Sequence, residues 1–212
     1  MDPCLYEWHH PVHGCVFILV FVNDVTVAGE SFAGAAAIKS GVSAKFEMRD
    51  IREVKEFIGR RVMRGKRAKN PTLSNPGHIM ALLQAFGMDT YTPNKTDMAS
   101  AVNLSTTGKN PLPDGNRSAA MVGSLLYLSA TTRPDISYPV GVLSRFMSCP
   151  EQDHTRAAKG VLRYFRGTTR LDVMCGGNEA LRRIVDANEP ADTDVRRPKI
   201  GFIFTLNGGP IS

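Results

Sequence analysis

The stretch Cys15-Val16-Phe17-Ile18-Leu19-Val20-Phe21-Val22 constrains this chain more than any other. Its 8 residues are apolar without a break and rich in β-branched and aromatic side chains. That pattern predicts a strand buried on both faces. Asn23-Asp24 reads as a two-residue turn, and Val25-Thr26-Val27-Ala28 as the returning strand. Ser31 then caps a short helix through Ser40, ended by Gly41. The run is too short to cross a bilayer, which takes roughly 20 residues. The 14 residues before it hold no Lys or Arg, unlike a secretory signal. The expectation is an intracellular chain, cytoplasmic or nuclear, with no membrane partner.

The remaining segments predict a mixed α+β chain. Residues 45–64 alternate weakly and read as two short strands around a turn. Ser74 or Asn75 then caps a helix with Pro76 at its first position. Ile79, Leu82, Leu83 and Phe86 fall on one face, and Gly87 stops it. Residues 89–116 are rich in Thr, Asn, Pro, Ser and Gly and read as a linker or long loop. Met121 to Leu128 is apolar and helical in pattern. The clearest helix is 150–166, started by a Ser148–Glu151 capping box. His154, Ala157, Ala158, Val161, Leu162 and Phe165 form its inner stripe. Arg133 and Asp135 read as a structural turn pair, and Tyr164 and Phe165 as core. Leu181 to Val185 and Ile200 to Leu206 read as strands.

Charge is the next discriminating feature. With 212 residues and 42% hydrophobic content the chain can bury a core, so its +6 net charge is a matter of surface. Residues 60–69 carry all of it: Arg60, Arg61, Arg64, Lys66, Arg67 and Lys69, with no acid among them. The rest of the chain holds 20 basic and 20 acidic residues and sums to zero. A sequence-independent phosphate contact needs only such a basic segment. A solvated basic turn fits the same composition equally well.

Four cysteines without a C-x-x-C pair fit a reducing compartment better than a disulfide scaffold. His9, His10, His13 and Cys15, with Cys4 nearby, invite a zinc reading. Their spacing matches no standard structural site, and Pro11 and Gly14 favour a solvated hairpin turn.

Six ordered blocks carry a resemblance. They read DPCLY, VFILVFVNDVTVAGE, KFEMRDIREVKEFIGRRVMR, LLQAFGM, VGSLLYLSATTRPDISYPVGVLSRFMSCPEQDHTRAAKGVLRYFRGT and DTDVRRPKIGFIFTLNGGPIS. In this order they resemble the C-terminal part of the reverse transcriptase of copia-type retrotransposon polyproteins, running into the start of RNase H. The resemblance implies a partial right-hand polymerase palm over 1–70, an antiparallel sheet with helices. It implies a helical thumb and connection over 71–175, and the N-terminal fragment of an RNase H-like fold over 176–212. The implied partners are an RNA or DNA template-primer and, in active relatives, a deoxynucleoside triphosphate.

The family's chemistry uses two Mg²⁺ ions held by converging carboxylates. These come from a tyrosine-x-Asp-Asp hairpin and from an Asp on an earlier strand. Here the hairpin reads Phe21-Val22-Asn23-Asp24. Asn23 stands where the family has its first hairpin Asp, a direct metal ligand. Asp24 matches the second. The earlier Asp has no counterpart, because the chain starts after that strand. In RNase H, Asp186 matches the first metal-binding carboxylate, within Asp186-Ala187-Asn188-Glu189-Pro190-Ala191-Asp192. The remaining acids are expected beyond Ser212. The expectation is therefore a polymerase fragment without a working site. A non-enzymatic nucleic-acid-binding remnant using 60–69 is the alternative. A third reading is a pseudogene product with no stable fold, its strand edge exposed.

Overall fold

A computed structural model describes residues 3–64, 70–97, 104, 112, 115–177, 179–188 and 199–211. The chain divides into two compact units, Met1–Val54 and Lys55–Ser212. The division falls ahead of the basic segment rather than in the stretch 89–116.

The first unit is a three-stranded antiparallel sheet with one helix. Strands β1 (Leu5–His10), β2 (Gly14–Phe21) and β3 (Asp24–Gly29) lie in the order β1-β2-β3. The run that dominates the sequence is thus the central strand. Helix α1 (Phe32–Ser43) follows, and Ser31 caps it by accepting a hydrogen bond from the Gly34 amide at 3.1 Å. The helix continues past Gly41, where a Cβ meets nothing within 4 Å. It therefore ends later than the glycine suggested. At Gly34 the fit is tight. A Cβ there comes within 3.1 Å of Val16 Cγ2 and 3.0 Å of His13 Cβ, so glycine lets the helix settle onto β2.

Two expectations for this hairpin are corrected. Val16 is fully buried, but Phe17 and Phe21 are 43% and 46% exposed. Directly opposed residues share a face. Cross-strand pairing puts Val16, Ile18, Val20, Val25, Val27 and Gly29 on the face toward α1. Leu5, Glu7, His9, Cys15, Phe17, Leu19, Phe21 and Asp24 share the other, open face. The strand is covered on one side only. The turn is also displaced by one residue. Phe21 pairs with Asp24, so Val22 and Asn23 form the turn, and Asp24 opens β3. Val22 adopts φ +52°, a left-handed conformation that is costly for a β-branched side chain.

The second unit joins a helical core to two further sheets. Strands β4 (Glu56–Phe57), β5 (Arg60–Arg64), β6 (Pro71–Ser74) and, much later, β7 (Val173–Met174) form an antiparallel sheet in that order. Ile58 and Gly59 turn β4 into β5, both at positive φ. Of the expected strand pair in 45–64, this hairpin is what forms; residues 45–48 are turn and irregular chain. Helices α2 (Pro76–Ala85), α3 (Gly115–Thr131), α4 (Ser137–Ser144) and α5 (Gln152–Gly167) enclose the core. A short 3-10 turn, Pro134–Ile136, precedes α4. Ile79, Leu83, Met121, Leu125, Leu128, Val161, Leu162 and Phe165 are buried together there. The helical periodicity of α2 and α5 points inward as expected.

The N-cap of α5 is Glu151 rather than Ser148. His154 takes the place of the usual Glu or Gln, its Nδ1 accepting from the Glu151 amide at 2.9 Å. Its ring stacks on Phe146 at 4.1 Å. Residues 91–94, read as linker, are fastened along α5. Arg163 Nε donates to Thr92 O at 2.8 Å, Arg166 Nε to Tyr91 O at 2.9 Å, and the Asn94 amide to Arg163 O at 3.1 Å. The third sheet comprises β8 (Arg182–Asn188), β9 (Lys199–Leu206) and β10 (Gly209–Pro210), in the order β10-β9-β8. The described residues thus form antiparallel sheets with five helices, a mixed α+β chain.

Candidate functional site

Asp24 and Asn23 lie at one end of the open face of the first sheet. Both are exposed. The tight turn holds Asp24 opposite Phe21, beside an amide rather than a second carboxylate. Among the described residues, the one group of three or more His, Cys, Asp or Glu side chains able to hold a metal ion excludes Asp24. A pair of Mg²⁺ ions needs several converging anionic oxygens. The hairpin presents one carboxylate and one neutral amide oxygen, a donor set that does not fit such a pair.

Asp186 lies on β8, its backbone paired with Gly201. Glu189 to Asp192, which complete the segment matched to RNase H, lie outside the described residues.

The basic segment is split by the strand it sits on. Strand side chains alternate between faces, so Arg60 and Arg64 share one face of β5 and Arg61 takes the other. Arg60 is half-buried, and its Nε is buried without a hydrogen-bond partner. Arg61 and Arg64 are exposed. Lys66, Arg67 and Lys69 lie outside the described residues. Arg61 pairs across the sheet with Glu56 and Ser74. Together with Asn75 and His78 these residues line a cleft of about 400 Å³. The cleft opens at the N-terminus of α2. There the Asn75 side chain makes no cap bond. With its amide nitrogen turned toward the hairpin it donates to Gly59 O at 2.9 Å and Ser74 O at 2.8 Å. A helix N-terminus favours anions, and Pro76 at the first position of α2 brings no amide N–H of its own. Tyr127 steadies the hairpin by donating from its hydroxyl to Ile58 O at 3.3 Å.

The far end of the open face holds a group of which the sequence offered His9 and Cys15 but not Glu7. Glu7 and His9 are two residues apart on β1, and Cys15 is the cross-strand partner of His9. His9 Nε2 lies 3.0 Å from Glu7 Oε1, and Cys15 Sγ donates to the same oxygen at 3.2 Å. Partial desolvation pushes the Cys15 thiol pKa up, and the Glu7 hydrogen bond and the Glu7 and Glu30 charges push the same way. The zinc reading gathered His9, His10, His13, Cys15 and Cys4. The hairpin forms as expected, but His10 and His13 stack on each other at 4.5 Å and belong to no such group. The signal for Glu7 is positional. A hairpin turning at Pro11–His13 sets His9 against Cys15, and period-2 alternation then adds Glu7.

Similarity to known proteins now adds to this geometry. The chain is 33% identical over 222 residues to the retrovirus-related Pol polyprotein from transposon TNT 1-94 of Nicotiana tabacum, covering 100% of this chain and 16% of that protein. It is 35% identical over 202 residues to the retrovirus-related Pol polyprotein from transposon RE1 of Arabidopsis thaliana, covering 93% and 13%. A putative transposon Ty5-1 protein of Saccharomyces cerevisiae is 30% identical over 218 residues, covering 99% of this chain and 70% of that protein. No family model and no solved structure matches the chain. These relatives make it a retroelement protein. More narrowly, the chain belongs to the copia-type retrotransposon Pol polyprotein family. It spans about one sixth or less of the length of the two Pol polyproteins named first. No helix among the described residues is long and apolar enough to cross a membrane.

Proposed function

We propose that this chain is the C-terminal part of a copia-type reverse transcriptase running into the start of its RNase H domain. Residues 1–70 are then a partial palm, 71–175 the thumb and connecting helices, and 176–212 the opening of an RNase H-like fold. The palm reading is supported by the first sheet, with α1 against one face and the hairpin acid on the open one. In active relatives the reaction is RNA-directed DNA synthesis by two-metal nucleotidyl transfer.

The observation that carries the functional reading is Asn23 beside Asp24 on an exposed turn. One carboxylate does not hold two divalent ions, and losing one such ligand removes several kcal/mol of transition-state stabilisation. The chain is therefore a retroelement remnant without nucleotidyl-transfer activity of its own. Asp186 is in this reading the first metal-binding carboxylate of the RNase H-like segment. Primer extension on an RNA template with Mg²⁺ or Mn²⁺ tests the proposal. No product is expected, and template-directed synthesis by the purified chain overturns it.

A second reading is non-enzymatic nucleic-acid binding through Arg61 and Arg64, joined by Arg60, Lys66, Arg67 and Lys69. The cleft that places Arg61 at the N-terminus of α2 favours it, because phosphate contacts need positive charge rather than metals. Binding to a short duplex at low salt is the expected result; absence of binding there rules this reading out.

A further inference from the structure

We propose that Glu7, His9 and Cys15 form a mononuclear zinc-type site on the open face of the first sheet. Their ligand atoms all lie within 4.8 Å of one another, and the two measured edges are 3.0 and 3.2 Å. Bond lengths of about 2.0–2.3 Å to N, O and S place tetrahedral ligands roughly 3.3–3.7 Å apart. A bound ion thus requires the two edges to Glu7 to lengthen by only tenths of an ångström, and His9 and Cys15, within 4.8 Å of each other, to settle at that same spacing. A carboxylate, an imidazole and a thiol are together the donor set of a borderline-soft divalent ion rather than of Mg²⁺.

The backbone supplies the arrangement. Glu7 and His9 project from the same face of β1, and Cys15 is the direct partner of His9. All three are therefore placed by the pairing of one hairpin. Glu30 follows β3 on the other side of Cys15, and its backbone amide donates to Cys15 O at 3.4 Å. Its carboxylate lies against Gly14, in space that any side chain at that position would occupy. Gly14, at φ +74°, thus keeps a second negative charge beside the site. His9 is 74% exposed, so an ion reaches the group from solvent. Three protein ligands leave the fourth position to water, as in sites that stay open. The group is separate from the polymerase hairpin. Cys15 and Phe21 are six residues apart on β2, roughly 20 Å at 3.3 Å per residue.

The test is titration of the full chain with Co²⁺ under reducing conditions, followed by displacement with Zn²⁺. The expected result is one ion per chain, with a thiolate-to-cobalt charge-transfer absorption that Zn²⁺ abolishes. Cys15→Ser removes the band. His9→Gln, at an exposed side chain, weakens binding by at least the roughly 10–100-fold that loss of even an outer-shell partner costs. Cys4→Ser and Cys149→Ser leave band and affinity unchanged, with circular dichroism confirming that every variant is folded. Absence of a thiolate band, or a band that survives Cys15→Ser, overturns the proposal. So does unchanged affinity in His9→Gln, which marks Glu7 and His9 as a surface ion pair alone.

Discussion

Asp135 grips the guanidinium of Arg133 from two residues away. Arg133 Nε donates to Asp135 Oδ1 at 2.9 Å, and Nη2 to Oδ2 at 2.6 Å. The arginine side chain is 1% exposed. Its other donors reach Thr168 O at 3.1 Å and Thr168 Oγ1 at 2.8 Å, just past the end of α5. The guanidinium carbon stands 4.5 Å over the Phe165 ring. A buried cation thus sits where the C-terminal carbonyls of α5 and a carboxylate both favour it.

Arg133→Met is expected to destabilise the chain by about 2–4 kcal/mol in urea unfolding, because Asp135 loses its charged partner, keeping only the Tyr164 hydroxyl, while Thr168 loses both bonds from the guanidinium. Arg133→Lys keeps the charge but loses the planar fork, and most of the loss remains. A lysine variant as stable as the parent shows that charge alone matters here.

Stability also depends on pH through this pair. Burial pushes the Asp135 carboxyl pKa up, but the hydrogen bonds and charge of Arg133, with the Tyr164 hydroxyl, more than reverse it. The folded pKa therefore lies below the ordinary 3.8, and the unfolded chain takes the proton first as pH falls. The contribution is complete above that ordinary value and is lost as pH drops through the lower, folded one. In thermal melts from pH 5 down to 2, roughly, Asp135→Asn should flatten part of the acid-side fall. A variant curve parallel to the parent throughout assigns that fall to other acids.

Val22 carries strain that a substitution can release. At φ +52° and 81% exposed, its side chain contributes little packing and opposes the turn. Val22→Gly is expected to raise stability by about 0.5–1 kcal/mol, the relief of left-handed strain exceeding the entropy added to the unfolded chain. Chemical denaturation reads this directly. A loss of stability means that Val22 makes interactions worth more than its conformation costs.

If the basic segment binds phosphate, its charges set the salt dependence. Replacing Arg61 and Arg64 by Gln should reduce the slope of log K against log salt by about 0.9 for each duplex DNA phosphate that is no longer neutralised. Fluorescence anisotropy over a salt series measures it. An unchanged slope places the binding surface elsewhere.

Asn23→Asp restores two adjacent carboxylates at the turn. Mn²⁺ is expected to broaden amide resonances of residues 21–25 more strongly in the variant than in the parent. Equal broadening shows that the hairpin does not gather ions even with both acids.

The helices were legible because their apolar residues recur at helical spacing. Ile79, Leu82 and Leu83 in α2, and Ala158, Val161, Leu162 and Phe165 in α5, are buried as the pattern requires. The β2–β3 turn was misplaced because Asn and Asp both favour turns locally. Pairing along the whole strand puts Phe21 opposite Asp24 and forces Val22 into the bend. Two buried faces were expected for β2 because a continuous apolar run does not reveal which neighbours are present. The Glu7 group was hidden for a related reason. Its members are spread over nine positions and meet only through hairpin register.

The central strand also measures chain in pairs. Cys15 and Asp24 share the open face because Cys15 and Phe21 are an even number of positions apart, and Phe21 stands opposite Asp24. Inserting or deleting one residue between Phe17 and Phe21 would turn the hairpin acid toward α1 or force a bulge. Two-residue changes would preserve the side. Across related element copies, length variation within this hairpin should therefore come in even steps wherever the acid still faces outward.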